Sequence, residues 1–342
     1  MSEPAEPGVE VTTVGPDLAV LHEGGTVRRY DGLEPDTVHD LDGVEVRTLR
    51  HPGGELLSRF ATVNDVHFGE ERCGVVEGHE DTIGPILESA PGEPPYPLTM
   101  NRAAVAEIQA VGADAVFAKG DLTTNGTDEE YQAFLDTYAD AFGDRLVHVR
   151  GNHDAYRGQS YAAWPLQRRD LPGATVVLLD TSVPRKSSGG LTDDQLAELD
   201  QIAADTDRPV VVLGHHHVWD PASMERPDTY FGIHPDWSER LVEVAARRPS
   251  IVGYLAGHTH RNRVRHFAPT GRMPWAEVAC VKDFPGAWAE YRVYEGGVVQ
   301  LLHRISSPEA LDWTERTRQM FWGAYGEYAF GDLDDRCFLL ER

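Results

Sequence analysis

Five short clusters of carboxylate, amide and imidazole side chains punctuate the chain: Asn64-Asp65-Val66-His67, Gly120-Asp121, Gly151-Asn152-His153-Asp154, Gly214-His215-His216-His217 and Gly257-His258-Thr259-His260. Their oxygens and imidazole nitrogens are hard-to-borderline donors, and no cysteine stands among them. Such a set suits Mn, Fe, Zn or Co better than a soft-ligand metal. Asp65 and His67 are two residues apart, as are His258 and His260. On a continuing strand the members of such a pair leave on one face, so two pairs from two strand ends make a metal clamp. With Asp121 bridging, the donors suffice for two ions. Each cluster alone carries little: a Gly-Asp is mostly a turn, and a lone histidine is more often a satisfied structural residue than a ligand.

The clusters are positioned by what precedes them. Each closes an apolar run: "RFATVND", "ADAVFAKGD", "RLVHVRGNHD", "RPVVVLGHHH" and "SIVGYLAGHTH", with "TVVLLDTS" as a further run that ends in none. Between the runs, periodicity and caps predict helices over Met100 to Val111, Asp128 to Phe142 after a Thr127 cap, Thr192 to Ala204 and Trp237 to Arg247. The Thr192 stretch opens "TDDQ", a capping box. Strand-like runs alternating with amphipathic helices predict βαβ units around a buried sheet from Arg59 onward. In an open α/β sheet the carboxyl ends of the strands share one crevice, which gathers the clusters.

Before that region, Val9 to Leu57 carries short β-like runs broken by Gly, Pro and Asp. After His260 the texture returns to β-like runs and ends in "ERTRQMFWGAYGEYAF", aromatic-rich and partly helical. The expected division is a β-rich module at 1–57, the site-bearing domain at 58–305 and an aromatic-rich extension at 306–342. The interval Gly69 to Leu98 is rich in Gly and Pro and follows the first cluster; loops so placed shape substrate pockets.

Composition narrows the partners. With 56 Asp+Glu against 31 Lys+Arg the net charge is -25, which argues against tracking a nucleic-acid polymer or an anionic membrane surface. A small anionic substrate stays open, because charge in the site itself decides at short range. Cys73, Cys280 and Cys337 lie far apart without a C-x-x-C spacing, so neither a disulfide framework nor a thiolate zinc site is indicated. The N-terminus lacks the basic start and apolar core of a signal peptide, and no apolar run is long enough to span a bilayer. A cytoplasmic enzyme, monomeric or homodimeric, is the expectation.

In order, the clusters read D-x-H, G-D, G-N-H-D, G-H and G-H-x-H, and in this they resemble the calcineurin-like metallophosphoesterase superfamily over roughly Arg59 to Phe267. The resemblance implies an α/β fold, the four-layer α/β/β/α sandwich, here with a small N-terminal β extension. It implies two divalent transition-metal ions, Mn or Fe first and Zn or Co as alternatives. Asp65, His67, Asp121 and His260 would hold one; Asp121, Asn152, His215 and His258 would hold the other. His153 would face the substrate phosphate. Asp154 joins it as a catalytic candidate by orienting His153 or its loop, with a plain structural hydrogen-bonding role as the alternative.

The stretch "GDLTTNGTDEEYQAFLDTY" is similar to the class III cyclic-nucleotide and glycerophosphodiesterase branch. Purple acid phosphatases place a tyrosine where Thr123 and Thr124 stand, and protein phosphatases place Arg-Gly where Asn125-Gly126 falls. The activity implied is hydrolysis of a small phosphodiester. Phosphomonoesterase or nucleotide-pyrophosphate hydrolase activity is the alternative, and a catalytically silent scaffold the more distant one. Among the three histidines of the fourth cluster, His215 takes the ligand position. His216 falls on a variable position, expected at the rim, and His217 stands where proline is usual, expected to be structural or solvent-facing, with a reach to the substrate as the alternative. Arg150 and Arg261 flank motifs and are expected at the surface or at strand ends.

Overall fold

The computed structural model describes residues 8–75 and 84–341. Three strands, β1 (Glu10–Val14), β2 (Leu18–Glu23) and β3 (Thr26–Asp31), make a small antiparallel sheet, followed by the hairpin β4 (Val38–Leu41) and β5 (Val44–Arg47). Strand and helix then alternate as β6 (Leu56–Val63), α1 (Tyr96–Val111), β7 (Ala115–Lys119), α2 (Asp128–Phe134), α3 (Asp140–Phe142), β8 (Leu146–Val149) and α4 (Asn152–Ala155). Next come β9 (Leu166–Leu171), β10 (Ala174–Leu179), α5 (Asp193–Ala204), β11 (Val210–Gly214), α6 (Pro235–Arg247) and β12 (Ile251–Ala256). The short β13 (Arg263–Arg265) and β14 (Trp275–Glu277) precede the long pair β15 (Ala287–Tyr294) and β16 (Gly297–Arg304). α7 (Pro308–Thr317), α8 (Ala324–Phe330), α9 (Leu333–Arg336) and β17 (Phe338–Leu340) complete the described chain.

Among the described residues the long strands form two six-stranded mixed sheets, ordered β17-β16-β15-β6-β7-β8 and β13-β14-β12-β11-β10-β9. β6, β7 and β8 run parallel, as do β10, β11, β12 and β14. Strands so placed are covered on both faces, which is why β7, β10 and β11 are buried along their whole length and read as unbroken apolar runs. Phe60, Phe117, Val176, Leu178, Val211, Leu213 and Tyr291 fill the space between the sheets. The outer face of one sheet packs on α1, α7 and α8 through Val63, Met100, Ile108, Val116 and Trp313. That of the other packs on α5 and α6 through Val177, Leu199, Val212, Leu241 and Tyr254. The four-layer α/β/β/α sandwich expected from the sequence is the fold that forms.

The helices begin where their caps dictate. Thr192 accepts from the Gln195 amide while the Gln195 side chain accepts from the Thr192 amide, and Thr127 with Glu130 repeats the arrangement at α2. At the N-terminal end, Leu18 and Val20 pack on Tyr294, Val299 and Leu301, so the small sheet leans on the edge of the sandwich. Of the Gly69 to Leu98 interval, Cys73 bridges to Leu87 and Tyr96 opens α1; residues 76–83 lie outside the described residues.

Candidate metal centre

All five clusters stand where β6, β7, β8, β11 and β12 end, the third of them forming the single turn of α4, at one end of the sandwich. The loops hold one another through their backbones. The Asp65 amide donates to Gly120 O, the Val66 and His67 amides both donate to Asp121 O, and the Gly257 amide donates to His215 O. Approach is close enough to exclude side chains: a Cβ on Gly120 would come within 2.7 Å of His215 Nδ1, and one on Gly151 would strike the Asp121 carboxylate. Asp65, His67, Asp121, His258 and His260 all take the left-handed backbone conformation, with φ of 51°, 45°, 49°, 70° and 55°. That conformation costs a side-chain-bearing residue more than it costs glycine, although aspartate and histidine adopt it more readily than most, and such strain collects at functional sites.

The side chains converge around Asp121. Its Oδ2 stands 3.7 Å from His67 Nε2 on one side and 3.2 Å from His215 Nε2 on the other. Asp65, His67 and His260 offer donor atoms within 4.8 Å of one another, as do Asp65, Asp121 and His215. Asn152 Oδ1 lies 3.0 Å from His215 Nε2. His258 donates from Nε2 to Phe231 O at 2.6 Å, which leaves Nδ1 for the cluster it shares with His215. Every residue expected to hold a metal is thus in the same cluster.

The chemistry of these atoms fits a pair of cations. Two carboxylates, Asp65 and Asp121, are buried within one cluster. Among the described residues, both ring nitrogens of the buried His67 lack a hydrogen-bond partner. His215 donates from Nδ1 to Lys119 O at 2.9 Å, which fixes its tautomer and turns Nε2 inward. Burial disfavours a charged His215 ring, but Asp121 beside it prevails and pushes its pKa up to about 9. Burial and the neighbouring His215 push His258 down to about 3, keeping that ring neutral. The acidic pair therefore draws compensating positive charge, and bound cations displace protons from such ligands.

His153 lines the same cleft, its ring centroid 4.7 Å from that of His67, and Nδ1 donates to Thr124 O at 2.8 Å. Asp154 is placed differently from a catalytic group. Its carboxylate accepts from the amides of Leu122, Thr123 and Gly151 at 3.0, 2.9 and 2.7 Å and from Thr123 Oγ1 at 2.6 Å. These bonds staple the loop after β7 to the loop after β8, so Asp154 shapes the site from beneath and does not face it.

The fourth cluster also departs from expectation. His216 is fully buried, not at the rim: Nδ1 pairs with Thr181 Oγ1 at 2.9 Å, and the ring belongs to the donor group of His215 and His258. His217 is buried too, which fits the structural role expected for it and not the solvent-facing one; its ring packs edge-on to Tyr230 at 5.2 Å, and its carbonyl accepts from the Ile233 amide. Arg150 pairs with Asp180 and Arg261 with Glu277, both structural roles.

A cleft of about 520 Å³ opens over the cluster. Part of its wall comes from residues the motifs do not contain: Lys282 and Asp283 before β15, Phe231 from the loop before α6, and Phe321, Tyr325 and Tyr328 from the C-terminal segment. Lys282 is 5 % exposed and donates to Glu70 Oε1 at 2.7 Å. Sequence motifs missed it, although a Lys-Asp pair inside a run otherwise apolar is a signal that could have found it, since charge is buried only with partners.

Residues 58–262 match the family model described as calcineurin-like phosphoesterase. The chain belongs to that family. It is similar to a probable glycerophosphodiester phosphodiesterase of Arcobacter nitrofigilis, 29 % identical over 43 % of this chain and 57 % of that protein. It is also similar to a 3′,5′-cyclic adenosine monophosphate phosphodiesterase of Pseudomonas aeruginosa, 29 % identical over 51 % of this chain and 64 % of that protein. The alignments span about three fifths of the length of these curated relatives. Among solved structures, a dimetal phosphatase from Danio rerio shares the fold, with a TM-score of 0.53 at 17 % identity over 73 % of this chain and 97 % of that one.

Proposed function

We propose that the protein is a dinuclear metal-dependent phosphodiesterase acting on a small diester, a cyclic nucleotide or a glycerophosphodiester. The observation that carries this reading is the convergence of Asp65, His67, Asn152, His215, His258 and His260 on Asp121 beneath one cleft. Asp65, His67, Asp121 and His260 would hold one ion and Asp121, Asn152, His215 and His258 the other, Mn or Fe first, with Zn or Co as alternatives. When bound, such ions would acidify a water and offset charge on the phosphoryl oxygens.

The chain's own residues supply the rest. The Thr124 carbonyl holds the Nδ1–H of His153, so a proton passed to the leaving oxygen departs from Nε2 of the protonated ring. General-acid help of this kind is worth typically 10²–10⁴-fold. A diester fits better than a monoester because Lys282, the lysine lining the cleft, is already engaged by Glu70 and adds no free charge for a second phosphate oxyanion. Tyr156, Phe231, Phe321 and Tyr328 line the same space and offer flat apolar surface to a second organic substituent. The two relatives reported above, both phosphodiesterases by name, support the same choice. With a net charge of -25 the reading takes the partner to be a small phosphoester and neither a nucleic-acid polymer nor a membrane. We further infer a cytoplasmic enzyme that works as a monomer or homodimer.

The test is turnover of bis(p-nitrophenyl) phosphate against p-nitrophenyl phosphate with added Mn²⁺, followed by cyclic AMP, glycerophosphocholine and nucleoside diphosphate derivatives. Faster turnover of the monoester overturns the diesterase reading. Absence of any metal-stimulated hydrolysis favours a silent scaffold.

A further inference from the structure

His260 has a neighbour that the family motif does not include. Its Nε2 stands 3.5 Å from Asp65 Oδ1, and its Nδ1 stands 3.5 Å from Asp283 Oδ2. Asp283 is itself buried, at 2 % exposure, and its Oδ1 accepts from Tyr325 OH at 2.6 Å and from Cys280 Sγ at 2.9 Å. Lys282 Nζ lies 3.5 Å from its Oδ2. Cys280, Lys282, Asp283 and Tyr325 all fall outside the family-matched residues 58–262.

An imidazole that ligates through one nitrogen needs its other N–H held, or its tautomer and ring orientation are left free. His215 meets that need with a backbone carbonyl, and His258 does likewise. For His260 the group facing Nδ1 is a side chain, the Asp283 carboxylate at 3.5 Å. Resting on the reading of Asp65, His67 and His260 as ligands of one ion, we propose that Asp283 is the positioning residue of His260. It holds Nδ1–H so that Nε2 faces the ion, and Tyr325 of the C-terminal segment fixes Asp283 in turn. His260, Cys280 and Asp283 stand close enough together to suggest an ion of their own. However, the Asp283 oxygens already accept from Tyr325 and Cys280 and face the Lys282 ammonium, which makes the group a hydrogen-bonded hub instead of a cation hole.

The experiment is calorimetric titration of the chelator-stripped full chain with Mn²⁺, comparing wild type with Asp283→Asn and Tyr325→Phe, and with melting curves of each metal-free variant as the fold control. Two ions should bind the wild type. Asp283→Asn should weaken one of them about 10–100-fold and leave the other unchanged, and Tyr325→Phe should weaken the same ion by less. Unchanged affinities in both variants overturn the proposal, and so does loss of a third equivalent, which assigns an ion to His260, Cys280 and Asp283. If Asp283→Asn does not fold, Tyr325→Phe decides, since it removes one hydroxyl and little volume. A wild type that binds no Mn²⁺ overturns the metal-centre reading itself, a result distinct from unchanged variants of a binding wild type.

Discussion

His153 lines the cleft and offers a ring nitrogen within 4.8 Å of the donor atoms of His67 and Asp121, and its backbone amide donates to Asp121 Oδ1 at 2.9 Å. With the seven other residues read as the ligands and His153 read as facing the phosphate, removing its ring should leave both ions bound while kcat falls about 10²–10⁴-fold, which steady-state kinetics paired with metal analysis would check. Loss of an ion instead would make His153 a ligand. The histidine triplet yields a graded expectation. His215→Ala should cost the second ion, and His216→Ala should weaken that same ion because its ring stands in the same donor group. His217→Ala should leave metal content unchanged. Metal content after dialysis separates the three. At this scale the motif residues were legible because donor type and two-residue spacing are local properties of the chain. His216 and His217 were not, since adjacent histidines look alike until Thr181 and Tyr230 are folded against them. Asp283 and Tyr325 escaped for the same reason: 42 residues separate them, and only the fold joins them.

The elements hold the residues through loops, and Asp154 is the clearest such device. Replacing it with alanine strands the buried amides of Leu122, Thr123 and Gly151. At about 1–3 kcal/mol for each unsatisfied group, Asp154→Ala should destabilise the fold by roughly 3 kcal/mol or more. Urea unfolding would measure this, and a loss within about 0.5 kcal/mol, the range of an ordinary surface change, would contradict the stapling role. Element types were largely legible, boundaries less so. α1 begins at Tyr96 and not at Met100, because Pro97, which reads as a breaker, is tolerated in a first helical turn where no intrahelical amide bond is lost. The single helix expected over Asp128 to Phe142 is interrupted by a π-helical turn at Leu135–Ala139. Nothing in the apolar period marks such an insertion, since the stripe continues through Phe134 and Tyr138.

For the whole molecule, the N-terminal sheet is joined to the sandwich through a group that responds to acid. His22 pairs with Thr12 Oγ1 at 2.8 Å and with Ser306 Oγ at 3.1 Å. Burial, and then the Arg304 charge, push its pKa down to about 4 from an ordinary 6.5. Between those values the unfolded chain binds the extra proton, so stability rises with pH through the window and is lost as pH falls from 6.5 towards 4. Melting temperature followed across that range should show the slope, and His22→Gln should flatten part of it; His148, also pushed down to about 4 by burial, contributes in the same direction. Long-range pairings of this kind, 284 residues apart for His22 and Ser306, leave no trace in a sequence window. The left-handed backbone at Asp65, His67, Asp121, His258 and His260 bears on how this chain would evolve under heat alone. Glycine or asparagine relieves that conformation, so a library selected for melting temperature in the presence of chelator should drift towards those residues at 67, 258 and 260 and return inert proteins. The same library selected for Mn²⁺-dependent hydrolysis should keep aspartate and histidine, and the two selections would pull one set of positions towards different amino acids.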